Sequence, residues 1–267
     1  MSWIEALILG IVQGLTEFLP VSSSGHLIIG KEILGVEVNP DAETTFEVLV
    51  HCATVLSTIY VFRTEIGKLL SGLFKFQMNE ETQYVIKICV SMIPIMIIGL
   101  FFKDEVKIIF GEGVVLVGVM LLITTILLSL THFVKFNQRR EISYLDAFII
   151  GLSQAVAVLP GLSRSGTTIS TGLLLGNKRE DIARFSFLMV LVPILGETFL
   201  CILGGEFSPK VSGIPMSSMI IGFLAAFFSG LFACKIMIAI IKQSKLIYFA
   251  VYCAIVGASI IIWQFFV

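Results

Sequence analysis

Long apolar stretches separated by short polar loops dominate this chain from end to end. Four of them, residues 84–102, 114–133, 216–241 and 246–267, are long enough to cross about 30 Å of hydrocarbon as helices. Two more, residues 46–62 and 185–203, are shorter or carry an ionisable residue, and are read as spanning helices as well. Residues 4–30 and 145–176 differ: both are apolar, but each is interrupted midway by a proline, Pro20 or Pro160, followed by a Ser/Gly cluster. Proline removes a backbone donor and clashes with the preceding turn. Non-helical backbone at membrane depth survives only where protein or a wet cavity covers it. The two broken segments are therefore expected to be re-entrant helices and the place where a site is built.

These segments are also versions of each other. Ala6-Leu7-Ile8-Leu9-Gly10-Ile11-Val12-Gln13 aligns with Ala147-Phe148-Ile149-Ile150-Gly151-Leu152-Ser153-Gln154 at an offset of 141. Leu19-Pro20 answers Leu159-Pro160, and Ser22-Ser23-Ser24-Gly25 answers Ser163-Arg164-Ser165-Gly166. The chain thus reads as a single membrane domain, 1–267, made of two homologous halves, 1–134 and 142–267.

Charge sets their orientation. Arg63, Lys68 and Lys75, then Lys135, Arg139 and Arg140, then Lys242 and Lys245, mark three loops as cytoplasmic, because short cytoplasmic loops are enriched in Lys and Arg. The loop 103–112, where Asp104, Glu105 and Glu112 offset two lysines, and the loop 206–215, with one lysine, fall outside. Equivalent loops lie on opposite faces, as in an inverted-topology repeat. The expected architecture is an all-α, polytopic integral membrane protein with about six spanning helices plus re-entrant helices. Both termini are expected outside, and the first segment is retained, because no basic stretch precedes it.

Composition agrees with this class and excludes others. Hydrophobic residues make up 57% of the chain and charged ones 14%, with a mean hydropathy of +0.99, far from soluble globular usage. A net charge of -1 offers no basic footprint for nucleic acid. The five cysteines, Cys52, Cys89, Cys201, Cys234 and Cys253, form no CxxC pair and are read as small packing residues.

The polar clusters carry the chemistry. Arg164 is the only arginine inside an apolar segment, and an intramembrane charge points to function because its burial is costly unless paired. Its planar fork suits phosphate oxygens. Ser163, Ser165, Gly166, Thr167 and Thr168 add hydroxyls and close backbone approach, and a helix starting there adds positive dipole. Gln13 and Glu17, four residues apart, share a helical face. Glu17 is placed either to hold Mg²⁺ across a phosphate or to orient a proton-transferring group. The plain alternative makes Glu17 and Arg164 mere counter-ions. Ser22, Ser23 and Ser24 offer a nucleophile if a base takes the hydroxyl proton, and His26 is close in sequence. A Ser-Ser-Ser-Gly run is otherwise a turn or helix cap.

Gln13-Gly-Leu-Thr-Glu17-Phe-Leu-Pro-Val-Ser-Ser-Ser-Gly-His26 and Pro160-Gly-Leu-Ser-Arg-Ser-Gly-Thr-Thr168 resemble the two signature motifs of the undecaprenyl-pyrophosphate phosphatases, also called bacitracin-resistance proteins. The resemblance runs over essentially the whole chain, including Phe46-Glu47 and Phe185-Ser186-Phe187-Leu188. It implies an enzyme of the bacterial plasma membrane that removes the terminal phosphate of a C55 polyprenyl pyrophosphate, renewing the lipid carrier for peptidoglycan synthesis and conferring bacitracin resistance. It further implies Ser23 as nucleophile with His26 as its base, against a phosphohistidine at His26 or an activated water. Glu17, Ser23, His26 and Arg164 are then catalytic. Gln13, Ser22, Ser24, Ser163, Ser165, Gly166, Thr167 and Thr168 bind substrate, and Glu17 is the metal ligand for a divalent cation such as Mg²⁺. The family pattern takes Glu or Gln at the first position; Gln13 supplies no charge.

A transporter or flippase of an anionic polyprenyl lipid is the competing class, since inverted repeats with broken helices serve transport in general. A base beside a serine favours hydrolysis over transport. The expected partners are the polyprenyl lipid and the surrounding bilayer, with a homodimer left open as the assembly. His51, Glu197 and His132 are weaker candidates, for lining the cavity or for an interfacial position. The run Lys178-Arg179-Glu180-Asp181 reads as a solvated helix start after Asn177.

Overall fold

A computed structural model describes residues 1–36, 40–110, 113–134, 140–242 and 245–266; Glu112, Lys135 and Arg139, used above for loop charge, lie outside the described residues. The helices in chain order are α1 (Trp3–Phe18), α2 (Ser23–Leu34), α3 (Pro40–Val61), α4 (Arg63–Leu73), α5 (Glu80–Phe101), α6 (Lys103–Phe110) and α7 (Val114–Phe133). They continue with α8 (Tyr144–Val156), α9 (Arg164–Leu174), α10 (Arg179–Met189), α11 (Leu191–Leu203), α12 (Pro209–Ser212), α13 (Met216–Lys242) and α14 (Ile247–Gln264). No strand occurs among the described residues.

Six stretches of helix among the described residues are long and apolar enough to cross a membrane: Thr44–Val61, Glu80–Phe101, Val114–Phe133, Arg179–Leu203, Met216–Ile241 and Ile247–Gln264. They match the six expected from hydropathy, and the chain is a multi-pass membrane protein. One is not a single rod. The segment expected at 185–203 begins earlier, at Arg179, and breaks between α10 and α11 at Val190. Pro193 has no N–H for the carbonyl four residues back, which accounts for the break.

The two Pro-interrupted segments form helical hairpins. At about 1.5 Å per residue, the 16 residues of α1 and the 12 of α2 reach roughly 24 and 18 Å, short of the hydrocarbon thickness. Helices α8 and α9, with 13 and 11 residues, are shorter still. Their beginnings repeat as well: Ser2 and Glu5 close a capping box on α1, and Ser143 and Asp146 do the same on α8. Asp146 also accepts from Arg140 at 3.1 Å and Asn177 at 3.2 Å, tying the chain between the halves to the α9–α10 turn.

Packing crosses between the halves. Helix α1 lies chiefly on α13, α8 on α5, and α7 on α14. Lipid gives no hydrophobic drive for helices to associate, so small residues permit the close contact that replaces it. A Cβ on Gly10 would strike the Gly222 carbonyl, and one on its counterpart Gly151 would strike the Ser91 carbonyl. The main apolar core draws on both halves, with Phe18, Phe62, Met92, Phe185 and Phe187 among its large members.

Gly10→Val and Gly151→Val should each lower the thermal midpoint of the purified protein, by an overpacking penalty of about 1–3 kcal/mol. Gly99→Ala, at a position with open space around it, should leave the midpoint unchanged. Equal midpoints for all three variants would show that these contacts are not tight.

Candidate active site

The N-terminal ends of the two short return helices face each other. Ser23 is the first residue of α2 and Arg164 the first residue of α9, so each projects from a helix end where unpaired N–H groups and the dipole favour an anion. The caps are alike: Ser22 Oγ accepts from Gly25 N at 3.3 Å and Ser163 Oγ from Gly166 N at 3.1 Å. Only Ser22 departs from ordinary geometry, with φ 68°, a left-handed conformation rare for a non-glycine residue. The loops touch reciprocally, Gly25 against the Gly161 backbone and Gly166 against Pro20. Gly161, at φ 92°, leaves no room for a side chain against the Val117 carbonyl.

Glu17, on the last turn of α1, is the hub. Its Oε1 receives the Arg164 guanidinium at 2.5 Å. Its Oε2 accepts from Ser23 Oγ at 2.6 Å and from Gln13 Nε2 at 2.9 Å, and faces His51 Nε2 of α3 at 3.4 Å. The Glu17 side chain is 7% exposed, so the carboxylate is held by these partners rather than by water. His51, a weak candidate in the sequence, is thus part of the cluster. Its Nδ1 lies 2.8 Å from the Glu47 carbonyl, which can only accept, so Nδ1 carries a proton and Nε2 is the nitrogen turned to Glu17. Glu47 itself pairs with Lys31 at 2.8 Å.

The expected Ser23–His26 pair is not formed. His26 Nδ1 donates to the Ser22 carbonyl at 2.8 Å, and Nε2 meets the Tyr252 hydroxyl of α14 at 2.8 Å with the rings nearly parallel. Five residues, Pro20 among them, separate Glu17 from Ser23 in a sharp reversal, and that reversal puts the carboxylate, not the imidazole, beside the Ser23 hydroxyl. Tyr252 carried no signal in the sequence, because a tyrosine in a terminal apolar helix is ordinary.

The remaining predicted residues gather around this hub. Ser22 and Ser24 hydroxyls lie 3.5 Å apart, and Ser163 and Ser165 hydroxyls 3.4 Å apart. Ser165 Oγ donates to the Leu19 carbonyl at 3.2 Å, crossing between halves. Ser163 N donates to Thr124 Oγ1 at 3.0 Å. Thr168 Oγ1 bonds the Arg164 carbonyl at 2.9 Å and Ser186 Oγ at 2.7 Å, which anchors the first turn of α9. Thr167 is buried, with its hydroxyl unpartnered among the described residues. Glu197 is exposed on α11 and stands outside the cluster. His132 packs edge-on against Phe133. A cavity of only about 20 Å³ lies against Glu17, Arg164, Ser165 and Ser186, room for a water molecule but not for a pyrophosphate.

No group of three or more His, Cys, Asp or Glu side chains converges for a metal among the described residues. A hard cation at this hub would rest on the Glu17 carboxylate and on Gln13 Oε1, which is buried without a partner, and would take its other ligands from a bound phosphate. That donor set, oxygen only and with a single charge, fits Mg²⁺ held mainly through its substrate.

A family model described as "Bacitracin resistance protein BacA" matches residues 6–259 of the chain. An undecaprenyl-diphosphatase of Bacteroides thetaiotaomicron is 57% identical over 267 residues, covering 99% of this chain and 100% of that protein. One from Parabacteroides distasonis is 59% identical over 258 residues, with 96% of each covered. A more distant one from Carboxydothermus hydrogenoformans is 38% identical, covering 99% of this chain and 98% of that protein.

Removing one partner of the Glu17–Arg164 pair should cost about 3–5 kcal/mol of stability, because it strands a buried charge. The double change Glu17→Gln with Arg164→Met should cost less than the sum of the single changes. A thermal or denaturant cycle on the four proteins measures this coupling, and strict additivity would mean the pair is not formed.

Proposed function

The chain belongs to the bacitracin resistance protein BacA family, and from that membership we propose that it is an integral membrane phosphatase acting on undecaprenyl pyrophosphate. It yields undecaprenyl phosphate and inorganic phosphate, which renews the lipid carrier for cell-wall synthesis and underlies bacitracin resistance. The observation that carries a hydrolase rather than a transporter is the 2.6 Å hydrogen bond from Ser23 Oγ to Glu17 Oε2. It joins a nucleophile to a base beside a cation suited to phosphate, whereas lipid transport needs only the cation and the hydroxyls.

The reaction follows from that contact. The terminal phosphate enters between the two helix N-termini and draws the Arg164 guanidinium off Glu17. Glu17, relieved of its counter-ion, then takes the Ser23 proton as Oγ attacks the terminal phosphorus. The bond to the bridging oxygen breaks and undecaprenyl monophosphate leaves with the proton that Glu17 hands to its oxygen. Glu17, ionised again, takes a proton from a water that attacks the phosphoserine; the phosphorus–Oγ bond breaks, inorganic phosphate is released, and Glu17 returns that proton to Ser23 Oγ. Arg164 and the N–H groups of α2 and α9 oppose the charge on the equatorial oxygens throughout. When bound, a divalent cation such as Mg²⁺ would neutralise charge on the pyrophosphate. In this reading Glu17 replaces His26 as the base. His26, with both nitrogens engaged, steadies the strained turn at Ser22 and is a poor candidate for phosphohistidine.

The membrane is read as the bacterial plasma membrane with both termini outside, on the bias of Arg63, Lys68 and Lys75 against the acidic loop 103–112. The halves 1–134 and 142–267 are read as inverted duplicates, a reading supported by the reciprocal packing of α1 on α13 and α8 on α5.

Purified protein in detergent should release phosphate from a polyprenyl pyrophosphate. Ser23→Ala and Glu17→Gln should each slow release by about 10²–10⁴-fold, the range for losing a group active in proton transfer. Near-full turnover by Ser23→Ala would eliminate the serine nucleophile while leaving a water-based hydrolase. No release by wild-type protein would reject the enzyme itself. Tyr252→Phe, which frees His26 Nε2, should slow release by a smaller factor, about tenfold or less, and an unchanged rate would remove His26 orientation from the mechanism.

A further inference from the structure

Away from the active site, one surface cleft combines cations with hydroxyls. An open cleft of about 350 Å³ is lined by Thr64, Gly67, Lys68, Ser71, Gly72, Lys75 and Glu81. Thr64, Lys68 and Ser71 stand at i, i+4 and i+7 of α4 and share one side of it, and Lys75, just past the helix end, lines the same cleft. Gly67 lines the cleft as bare, exposed backbone, where an added Cβ would meet nothing within 4 Å. Among the described residues neither lysine has a carboxylate within ion-pair distance. Glu65, the nearest acid on the helix, is turned to Arg184 at 3.8 Å. Glu81 enters the cleft from α5 with its methylenes packed on Gly72. Two lysines and one carboxylate leave the cleft with one net positive charge.

Its location says what meets that charge. Helix α4 connects the span ending at Val61 to the span beginning at Glu80, so it lies where hydrocarbon gives way to headgroups. Beside the polar row, Leu70 and Phe74 are 48% and 70% exposed, followed by Phe76 at 90% and Met78 at 69%. Phe76, with φ 51°, sits in a left-handed turn that ends the helix and points the ring outward. A helix with a cationic row flanked by exposed aromatic and aliphatic side chains is the form of an in-plane interfacial helix.

We propose that the Thr64–Lys68–Ser71–Lys75 cleft binds the headgroup of an anionic glycerophospholipid, with phosphatidylglycerol as its occupant. The phosphate lies between Lys68 and Lys75 with the Thr64 and Ser71 hydroxyls donating to it. The glycerol hydroxyls donate to Glu81, and the acyl chains run over Leu70 and Phe74. A choline headgroup offers Glu81 no N–H or O–H and adds a positive charge beside two lysines, so the cleft discriminates against it. This proposal does not depend on the assigned phosphatase reaction.

Purified full-length protein in detergent is titrated with phosphatidylglycerol or phosphatidylcholine, and bound lipid is counted by native mass spectrometry. Wild type is expected to retain one phosphatidylglycerol in preference to phosphatidylcholine. Juxtamembrane cations are worth about fivefold each, so Lys68→Gln with Lys75→Gln should reduce the phosphatidylglycerol affinity by an order of magnitude and leave phosphatidylcholine unchanged. Gly67→Leu fills the cleft at an open, exposed position with both lysines intact and should abolish the same preference, which separates occupancy of the cleft from general surface charge. Equal retention of the two lipids by wild type would overturn the proposal. So would a preference that survives in either variant, or displacement of the lipid by inorganic phosphate at matched concentration, which would identify a soluble phosphate as the ligand.

Discussion

The structure turns on the ion pair between Glu17 and Arg164. The two residues are 147 positions apart, yet their side chains meet at 2.5 Å between the tips of two hairpins of short helices. A single charge at such depth is expensive, and either side chain alone would hold the hairpins apart or draw water into the bundle. Together they bring α1 and α9 into register and set Ser23, Gln13 and His51 around one carboxylate. The pair also makes the site self-occluded, leaving about 20 Å³ of free space beside it. In the proposed reaction a phosphate that engages Arg164 takes it from Glu17, so that binding and activation of the base would be one event.

Backbone accounting explains why broken helices are tolerated here. Each reversal exposes donors and acceptors that lipid cannot satisfy. Ser22 and Ser163 cap the helices that follow, Ser165 bonds the Leu19 carbonyl, Thr124 accepts from Ser163 N, and the Cys253 thiol lies 3.6 Å from the Pro20 carbonyl. The partners come from α7 and α14 as well as from the opposite hairpin. The N–H groups that remain at the tips of α2 and α9 are the ones a phosphate would use. The same architecture that satisfies the backbone therefore leaves its few vacant donors at the site.

The lipid also acts as solvent for the rest of the molecule. Tight contacts such as Gly10 against α13 and Gly151 against α5 supply the packing that the hydrophobic effect does not supply between helices in a bilayer. On α4 the exposed Leu70 and Phe74 lie beside the row that holds Lys68, the arrangement on which the proposed headgroup site rests. The Glu17 hub and the α4 cleft differ in how they hold charge: the hub compensates it internally, and the cleft does not.

Much was legible in the sequence because its signals are local. Span length follows from apolar run length, so the six crossing segments stood out, and Pro20 and Pro160 marked where two segments had to break. The repeat at an offset of 141 paired Ser22–Gly25 with Ser163–Gly166, and Arg164 stood out as a charge with no reason to be in lipid. What the sequence left open depended on direction. Nearness along the chain favoured His26 as the partner of Ser23, but the reversal at Pro20 swings Glu17 onto the hydroxyl and turns His26 to Tyr252, 226 positions away. The break at Val190 within the Arg179–Leu203 span and the arrival of His51 at Glu17 were decided in the same way. The sequence by itself determined which residues could not face lipid; only the tertiary structure decided which of them face each other, because side-chain direction at a helix end is set by the cap, the turn and the helix packed against it.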